Sequence, residues 1–301
     1  MDALTHKQFD VLEQIAAAAE KSQKLSQRAI AAALDVSIGT VNRTVTELTE
    51  GGLLSDGTIT PAGLAALEPY RVRRAVFIAA GFGSRMVPIT LNTPKPLVRV
   101  NGRRIIDSLL DAVYAAGIEE VYIVRGYLGE QFDQLLYKYP NIKFIANPIY
   151  NEANNISSVL AAGDLFANAY ILEGDLLLYN ASLIRKYQYG SNYLGVPVEQ
   201  TDDWCFKTNA KREIRELSIG GTDCYHMFGI SYWTEADGHR LAADVRQVFD
   251  APGGHERYWD QVPLQYCKDR YNVYVRPCTF ADLTEIDTFG ELKKLDPSYD
   301  R

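Results

Sequence analysis

The chain has 301 residues, enough for two domains with real cores, and its 47% apolar and 23% charged content is ordinary for a globular protein. A net charge of −7 argues against a protein whose whole surface binds nucleic acid. No apolar run reaches the ~18 residues of a membrane span, and the first twenty residues lack the layout of a signal peptide. The four cysteines (Cys205, Cys224, Cys267, Cys278) form no Cys-x-x-Cys pair and the four histidines no zinc spacing, so free thiols in a cytoplasmic protein without a membrane partner are expected.

In chain order, Leu4 to Glu20 reads as a helix with Phe9, Leu12, Ile15, Ala16 and Ala19 at helical spacing. Ser26 caps a short helix through Leu34, and Ser37 caps another from Ile38 to Glu50 whose inward face is Val41, Val45 and Leu48. Gly51-Gly52 ends it, Leu53 to Thr60 follows as a hairpin around Asp56-Gly57, and Pro61 opens a last helix to about Leu67. Three helices and a hairpin resemble a winged helix-turn-helix domain, here over residues 1–70, with Ser37 to Glu50 in the recognition position. Its charge fits DNA poorly. Lys7, Lys21, Lys24, Arg28 and Arg43 face nine carboxylates, whereas phosphate contacts normally supply much of the affinity. Thr40, Asn42, Arg43 and Thr44 could read bases in a homodimer, and a regulatory or dimerising appendage is the competing use. Residues 71–74 form a linker, and 75–301 a second domain.

That domain opens on Val76 to Ala80, a buried strand that breaks into Gly81-Phe82-Gly83-Ser84-Arg85. Such a glycine-rich turn brings backbone N–H groups close to an anion, and Arg85 can fork onto phosphate oxygens. Pro94-Lys95-Pro96-Leu97 then mounts a second cation between two prolines of fixed φ. Downstream, Ile105 to Ala116 is a helix and Val121 to Val124 a strand; Glu130 to Tyr139 is a helix and Lys143 to Ala146 a strand. Asn155 to Ala162 is a helix, and Tyr170 to Leu172 a strand ending in Glu173-Gly174-Asp175. Met227 to Trp233 reads as a later strand followed by a helix to about Phe249, and Tyr271 to Val275 as another strand. The alternation means an α/β fold with a mainly parallel, Rossmann-like sheet, helices on both faces, and ligands beyond the carboxyl ends of the strands. A dinucleotide fingerprint fits poorly, because Met86 holds its third glycine position and no acid ends the second strand; a P-loop lacks its Gly-Lys-Ser/Thr.

Ala-Ala-Gly-x-Gly-Ser-Arg joined to Pro-Lys-Pro-Leu resembles the sugar-phosphate nucleotidyltransferases, and within them the bacterial CTP:phosphocholine cytidylyltransferases, over roughly residues 74–295. Gly126-Tyr127-Leu128, Asn154-Asn155, Asp202-Asp203-Trp204, Tyr258-Trp259-Asp260 and Glu285-Ile286-Asp287 share in it. The resemblance implies Mg²⁺-dependent transfer of CMP from CTP to a small phosphorylated amino-alcohol. Arg85 and Lys95 would hold the triphosphate with backbone donors from Gly83 and Ser84, and the base would lie against Ala79, Ala80 and Gly81. Asn154, Asn155 and Ser158 would contact base and ribose, although an Asn pair opening a helix serves equally as a cap. Asp175 and Asp287 would hold the metal; a helix cap or a solvated loop is the other use of such carboxylates. Arg85, Lys95 and Asp175 make up the expected catalytic set. No general base is needed, since a phosphomonoester is already largely dianionic at neutral pH.

Trp204, Tyr258 and Trp259, flanked by Asp203, Asp260 and Glu285, would form the acceptor pocket. A quaternary ammonium is recognised by π-faces and diffuse negative charge, which favours phosphocholine; core packing is the competing use of each ring. Alternatives are 2-aminoethylphosphonate or phosphoethanolamine, whose primary ammonium needs fewer rings, a sugar phosphate, or a transcription regulator with a nucleotide-sensing domain.

Overall fold

The computed structural model describes residues 3–300. They form two compact units: one runs to Arg71 and takes in Tyr187–Tyr189, and the other holds Val72–Lys186 and the chain from Gly190 on.

In the first unit, helix α1 (His6–Glu20) starts under a capping box in which Thr5 accepts from the Gln8 amide and Gln8 answers to the Thr5 amide. This reciprocal cap, and not the apolar spacing, decides that the helix begins after Leu4. Helices α2 (Gln27–Leu34) and α3 (Ile38–Glu50) start under the hydroxyls of Ser26 and Ser37. Strands β1 (Leu54–Ser55) and β2 (Thr58–Ile59) pair antiparallel across Asp56-Gly57, both at positive φ, and α4 (Pro61–Leu67) follows. The core holds Leu12, Val41, Leu48 and Leu67, and is completed by buried Tyr187. Tyr189 stacks on His6 and Tyr70 with centroids at 4.4 and 5.5 Å and packs on Phe9.

This unit therefore borrows two rings from a segment more than a hundred residues downstream. Tyr187→Ala with Tyr189→Ala is expected to cost it about 3 kcal/mol. All three tryptophans (Trp204, Trp233, Trp259) lie in the second unit. Far-ultraviolet circular dichroism should thus lose helix at lower denaturant while the tryptophan fluorescence midpoint stays put. Equal shifts of both signals would contradict the assignment.

In the second unit, β3 (Arg74–Ala79) is an interior strand of the main sheet. Ala75, Phe77 and Ala79 join one core layer, and Val76 and Ile78 the other. A strand covered on both faces explains the unbroken apolar run. The short pair β4 (Arg99–Val100) and β5 (Arg103–Arg104) leads into helix α5 (Ile105–Ala115), which packs on the first layer. Strands β6 (Glu120–Arg125) and β7 (Lys143–Ala146), helix α6 (Ile156–Ala162), and strands β8 (Ala169–Glu173) and β9 (Leu176–Leu178) continue the chain. Then come β10 (Asn192–Thr208), β11 (Ile214–Trp233), helix α7 (Glu235–Phe249), β12 (Tyr274–Pro277), β13 (Leu283–Glu285) and helix α8 (Phe289–Leu295). The main sheet has the order β12-β10-β11-β8-β3-β6-β7. Its β8-β3-β6-β7 half is parallel, β11 runs antiparallel to β8 and β10, and β12 is parallel to β10. The alternating α/β reading therefore holds, with one long antiparallel hairpin that it lacks.

Three local expectations change. Gly129–Tyr137 winds as a 3₁₀ helix because its buried residues, Phe132 and Leu135, stand three apart, the period of that helix. The Tyr271–Val275 strand begins only at Tyr274, where pairing with Asn192 starts; Tyr271 instead turns its hydroxyl onto Asp244 at 2.7 Å. Met227–Trp233 is the end of the much longer β11. Among the described residues, no helix is long and apolar enough to cross a membrane.

Candidate active site

A cleft of about 590 Å³ opens in the second unit beyond the carboxyl ends of β3, β7 and β8, where a parallel sheet presents its ligands. Ala79, Ala80, Gly81, Gly83, Arg85, Lys95, Asn154, Asn155, Ser158, Asp175, Asp203, Trp204, Tyr258, Asp260, Glu285 and Asp287 line it. Two expected residues do not. Ser84 is exposed at the start of a 3₁₀ turn outside the lining, and Trp259 is 1% exposed within the second core layer.

The glycine turn is tied down from within: the Gly83 carbonyl accepts from the Thr90 hydroxyl at 2.9 Å and the Met86 amide at 3.0 Å. Gly83 has φ +68, and a Cβ there would stand 3.2 Å from both Lys95 and Thr90. Lys95 sits in a 3₁₀ turn between its two prolines. Its Nζ lies 2.8 Å from Asp175 Oδ2 and 2.8 Å from Asp287 Oδ1, and Arg85 reaches the same Asp287 oxygen at 2.8 Å. Burial alone would pull the Lys95 pKa down, but the two carboxylates outweigh it and hold the lysine above its ordinary value. Three elements distant in sequence thus converge on one cluster.

Glu173, absent from the sequence-based site, belongs at its centre. Side chains of Glu173, Asp175 and Glu285 each place one oxygen within 4.8 Å of the others. The i, i+2 spacing at a strand end, Glu173 to Asp175, was the signal that both acids point the same way. Glu173 lies flat against Gly229, where a Cβ would come within 2.4 Å of its Oε2. Its pKa is pushed well up, first by burial and then by Asp175, Asp260 and Glu285. Glu285 is raised well above the usual range by burial, Asp175 and Asp287.

A divalent cation fits this donor set. Asp175 Oδ1 is buried without a hydrogen-bond partner, and three clustered carboxylates are the hard oxygen ligands that Mg²⁺ takes. Asp287, expected as a metal ligand, stands outside that trio with one oxygen engaged by Lys95 and Arg85.

On the other wall, the Trp204 and Tyr258 rings meet edge to face at 65° with centroids 5.6 Å apart. Asp260 accepts from the Tyr193 hydroxyl at 2.8 Å, yet burial still pushes its carboxyl up to about 7. The cleft presents six carboxylates against Arg85 and Lys95, a surplus that suits a metal ion and a cationic ligand head. Asn147, also unforeseen, donates to Ser157 at 2.9 Å and Ser158 at 3.1 Å, fixing the serine hydroxyls of that wall. Neither Asn of the pair caps α6 conventionally: Asn155 accepts from the Trp259 amide, and Asn154 donates to the Glu256 carbonyl.

Raised carboxyl pKa values have a sign. The folded form of Asp260 keeps its proton up to about pH 7, whereas an unfolded aspartate loses it near 3.8. The stability this lends is complete below the unfolded value and lost as pH rises through the folded one. A cation needs ionised ligands, and Glu173 and Glu285 are both held above their ordinary values, so the thermal shift produced by Mg²⁺ is expected to grow as pH rises. A shift independent of pH would contradict the reading of the acid cluster.

Known proteins match this arrangement. A MobA-like NTP transferase domain matches residues 75–202, and a MarR-family model matches residues 4–58. The 2-aminoethylphosphonate cytidylyltransferase of Lancefieldella rimae is 34% identical over 75% of this chain and 92% of its own length. The chain belongs to the cytidylyltransferase family. The choline-phosphate cytidylyltransferase of Streptococcus pneumoniae is 28% identical over 74% of this chain and 96% of that protein. A solved structure of the CTP:phosphocholine cytidylyltransferase from Streptococcus pneumoniae superposes with a TM-score of 0.70 at 28% identity, covering 76% of this chain and 99% of that one. This cytidylyltransferase is therefore an enzyme with a nucleotidyltransferase domain behind a small helical one, and its reaction is of the cytidylyl-transfer type on a small phosphorylated substrate.

Proposed function

We propose that the chain transfers CMP from CTP to 2-aminoethylphosphonate. The observation that carries this is the acceptor wall: two rings, Trp204 and Tyr258, beside Asp203, Asp260 and Glu285, with the third expected ring in the core. A desolvated carboxylate such as Asp260 gains most from a partner that donates hydrogen bonds, which a primary ammonium does and a quaternary one does not. The 34% identity to a 2-aminoethylphosphonate enzyme supports the same choice. Phosphocholine is the second reading, favoured by the angled Trp204–Tyr258 corner, which offers two π-faces to a methylated cation.

In this reaction an acceptor phosphonate oxygen attacks the α-phosphorus of CTP. The bond from that phosphorus to the oxygen bridging to the β-phosphorus breaks, and pyrophosphate leaves with the electron pair. Arg85 and Lys95, with the backbone of the Gly81–Gly83 turn, bind the triphosphate and take up its charge. Lys95 stays protonated throughout, so it acts as a fixed cation and not as a base. Glu173, Asp175 and Glu285 would hold Mg²⁺, whose chemistry there is to neutralise the two anions that must meet. The small side chains of Ala79 and Ala80 leave room for the base, near Asn147 and Ser158. The acceptor's ammonium lies against Asp203 and Asp260, with Glu285 left to the metal.

Pyrophosphate release with each NTP against 2-aminoethylphosphonate, phosphoethanolamine, phosphocholine and glucose 1-phosphate tests this. CTP with 2-aminoethylphosphonate should give the highest kcat/KM. A phosphocholine value about tenfold higher, equivalent to ~1.4 kcal/mol, would move the assignment to the second reading. Preference for the sugar phosphate would sink both.

A further inference from the structure

The Asn154-Asn155 pair lies in the cleft lining, yet its hydrogen bonds run across the site to the wall that carries Tyr258 and Asp260. Asn155 Oδ1 accepts from the Trp259 amide at 2.9 Å, and its Nδ2 faces Glu173 Oε1 at 3.5 Å. The Asn154 amide donates to the His255 carbonyl at 2.7 Å, and its side chain to the Glu256 carbonyl at 3.3 Å. Three of these contacts thus pin the His255–Trp259 segment to the start of α6.

What they pin is specific. Trp259 is the buried residue between two that line the cleft, and its ring is held against Tyr193 and Trp233 at 6.0 and 6.1 Å. Tyr193 in turn donates to Asp260 at 2.8 Å. The Trp259 amide is buried with its ring, so losing the Asn155 oxygen leaves a buried donor unsatisfied, and the segment must move to find another partner. Tyr258 and Asp260 would move with it.

We infer that Asn155 is a positioning residue for the acceptor wall: it sets where Tyr258 and Asp260 stand, and so governs the seat of the acceptor's cationic head more than that of the nucleotide. This rests on the cytidylyl-transfer reading with an amine-bearing acceptor, and it replaces a base or ribose contact for Asn155 with a structural link between the two halves of the site. Asn154 anchors the same segment through a carbonyl two residues before Tyr258.

The test compares Asn155→Ala and Asn155→Asp in the full chain, with KM for CTP and for the acceptor measured separately and CTP binding titrated without acceptor. Asn155→Ala should raise the acceptor KM about tenfold and leave CTP affinity within about twofold. Asn155→Asp keeps an oxygen for the Trp259 amide and should recover most of the acceptor KM. A uniform loss of stability would not split the two constants or be rescued by Asp. A CTP affinity that falls as much as the acceptor's in either variant, or an acceptor KM unchanged in both, would overturn the inference. Wild-type protein that turns over no amine-bearing acceptor would sink the functional reading instead, while the CTP titration on the variants still decides whether Asn155 touches the nucleotide.

Discussion

Asp175→Asn should lower turnover by about 10³-fold or more while the protein stays folded. Three observations carry this expectation. It sits immediately past β8, its Oδ2 pairs with Lys95 at 2.8 Å, and its Oδ1 is buried without a hydrogen-bond partner. An amide keeps the shape and removes the charge that a cation needs. Stability should change by no more than about 1 kcal/mol. The lost ion pair with Lys95 is offset because Glu173 and Glu285 no longer face a third negative charge, and Asp287 still partners the lysine. Denaturant midpoints and single-turnover rates on the same preparation read both quantities. Retained turnover would remove Asp175 from the site, and a collapse of stability would make it a structural residue.

Trp259→Ala and Trp204→Ala should fail in opposite ways. Trp259 is 1% exposed and packed between Tyr193 and Trp233, so its truncation should cost about 3–5 kcal/mol of stability. Trp204 is half-buried at the cleft, meeting Tyr258 edge to face, so its loss should cost about 1 kcal/mol. That second variant should instead raise the acceptor KM with CTP affinity little changed. Equal stability losses would put both rings in the core, and an equal loss of both substrates by Trp204→Ala would dissolve the acceptor wall.

These two tryptophans show where the sequence was legible and where it stopped. Tyr258-Trp259-Asp260 reads as one cluster because the three are adjacent, but the backbone turns so that the outer two face the cleft and the middle one fills the core. Which of them goes inside depends on Tyr193 and Trp233, far away in the chain. The glycine turn was readable because its geometry is local: Gly83, Arg85 and Lys95 lie within thirteen residues, and Thr90 ties the turn down from within. The carboxylates that meet the two cations, by contrast, come from Asp175 and Asp287 far downstream. Glu173 was missed although it stands two residues from Asp175, since its place depends on Gly229 and Asn155 from other elements. The long β10–β11 hairpin was hidden by residues that normally break strands. Asp202-Asp203 and Gly220-Gly221 interrupt its apolar pattern, and its register shifts at those points. In the first unit, Ser26, Ser37 and Pro61 marked the helix starts correctly because a cap needs only its own turn. Tyr187 and Tyr189 could not be placed in that core by any local pattern.

The most direct measurement is phosphorus NMR of the 301-residue chain with CTP, 2-aminoethylphosphonate and Mg²⁺. CTP should disappear as pyrophosphate and a mixed anhydride appear together, the anhydride showing a nucleotide phosphorus coupled to the acceptor's phosphonate phosphorus. CTP left intact with every amine-bearing acceptor, or hydrolysed without forming that coupled pair, would contradict it.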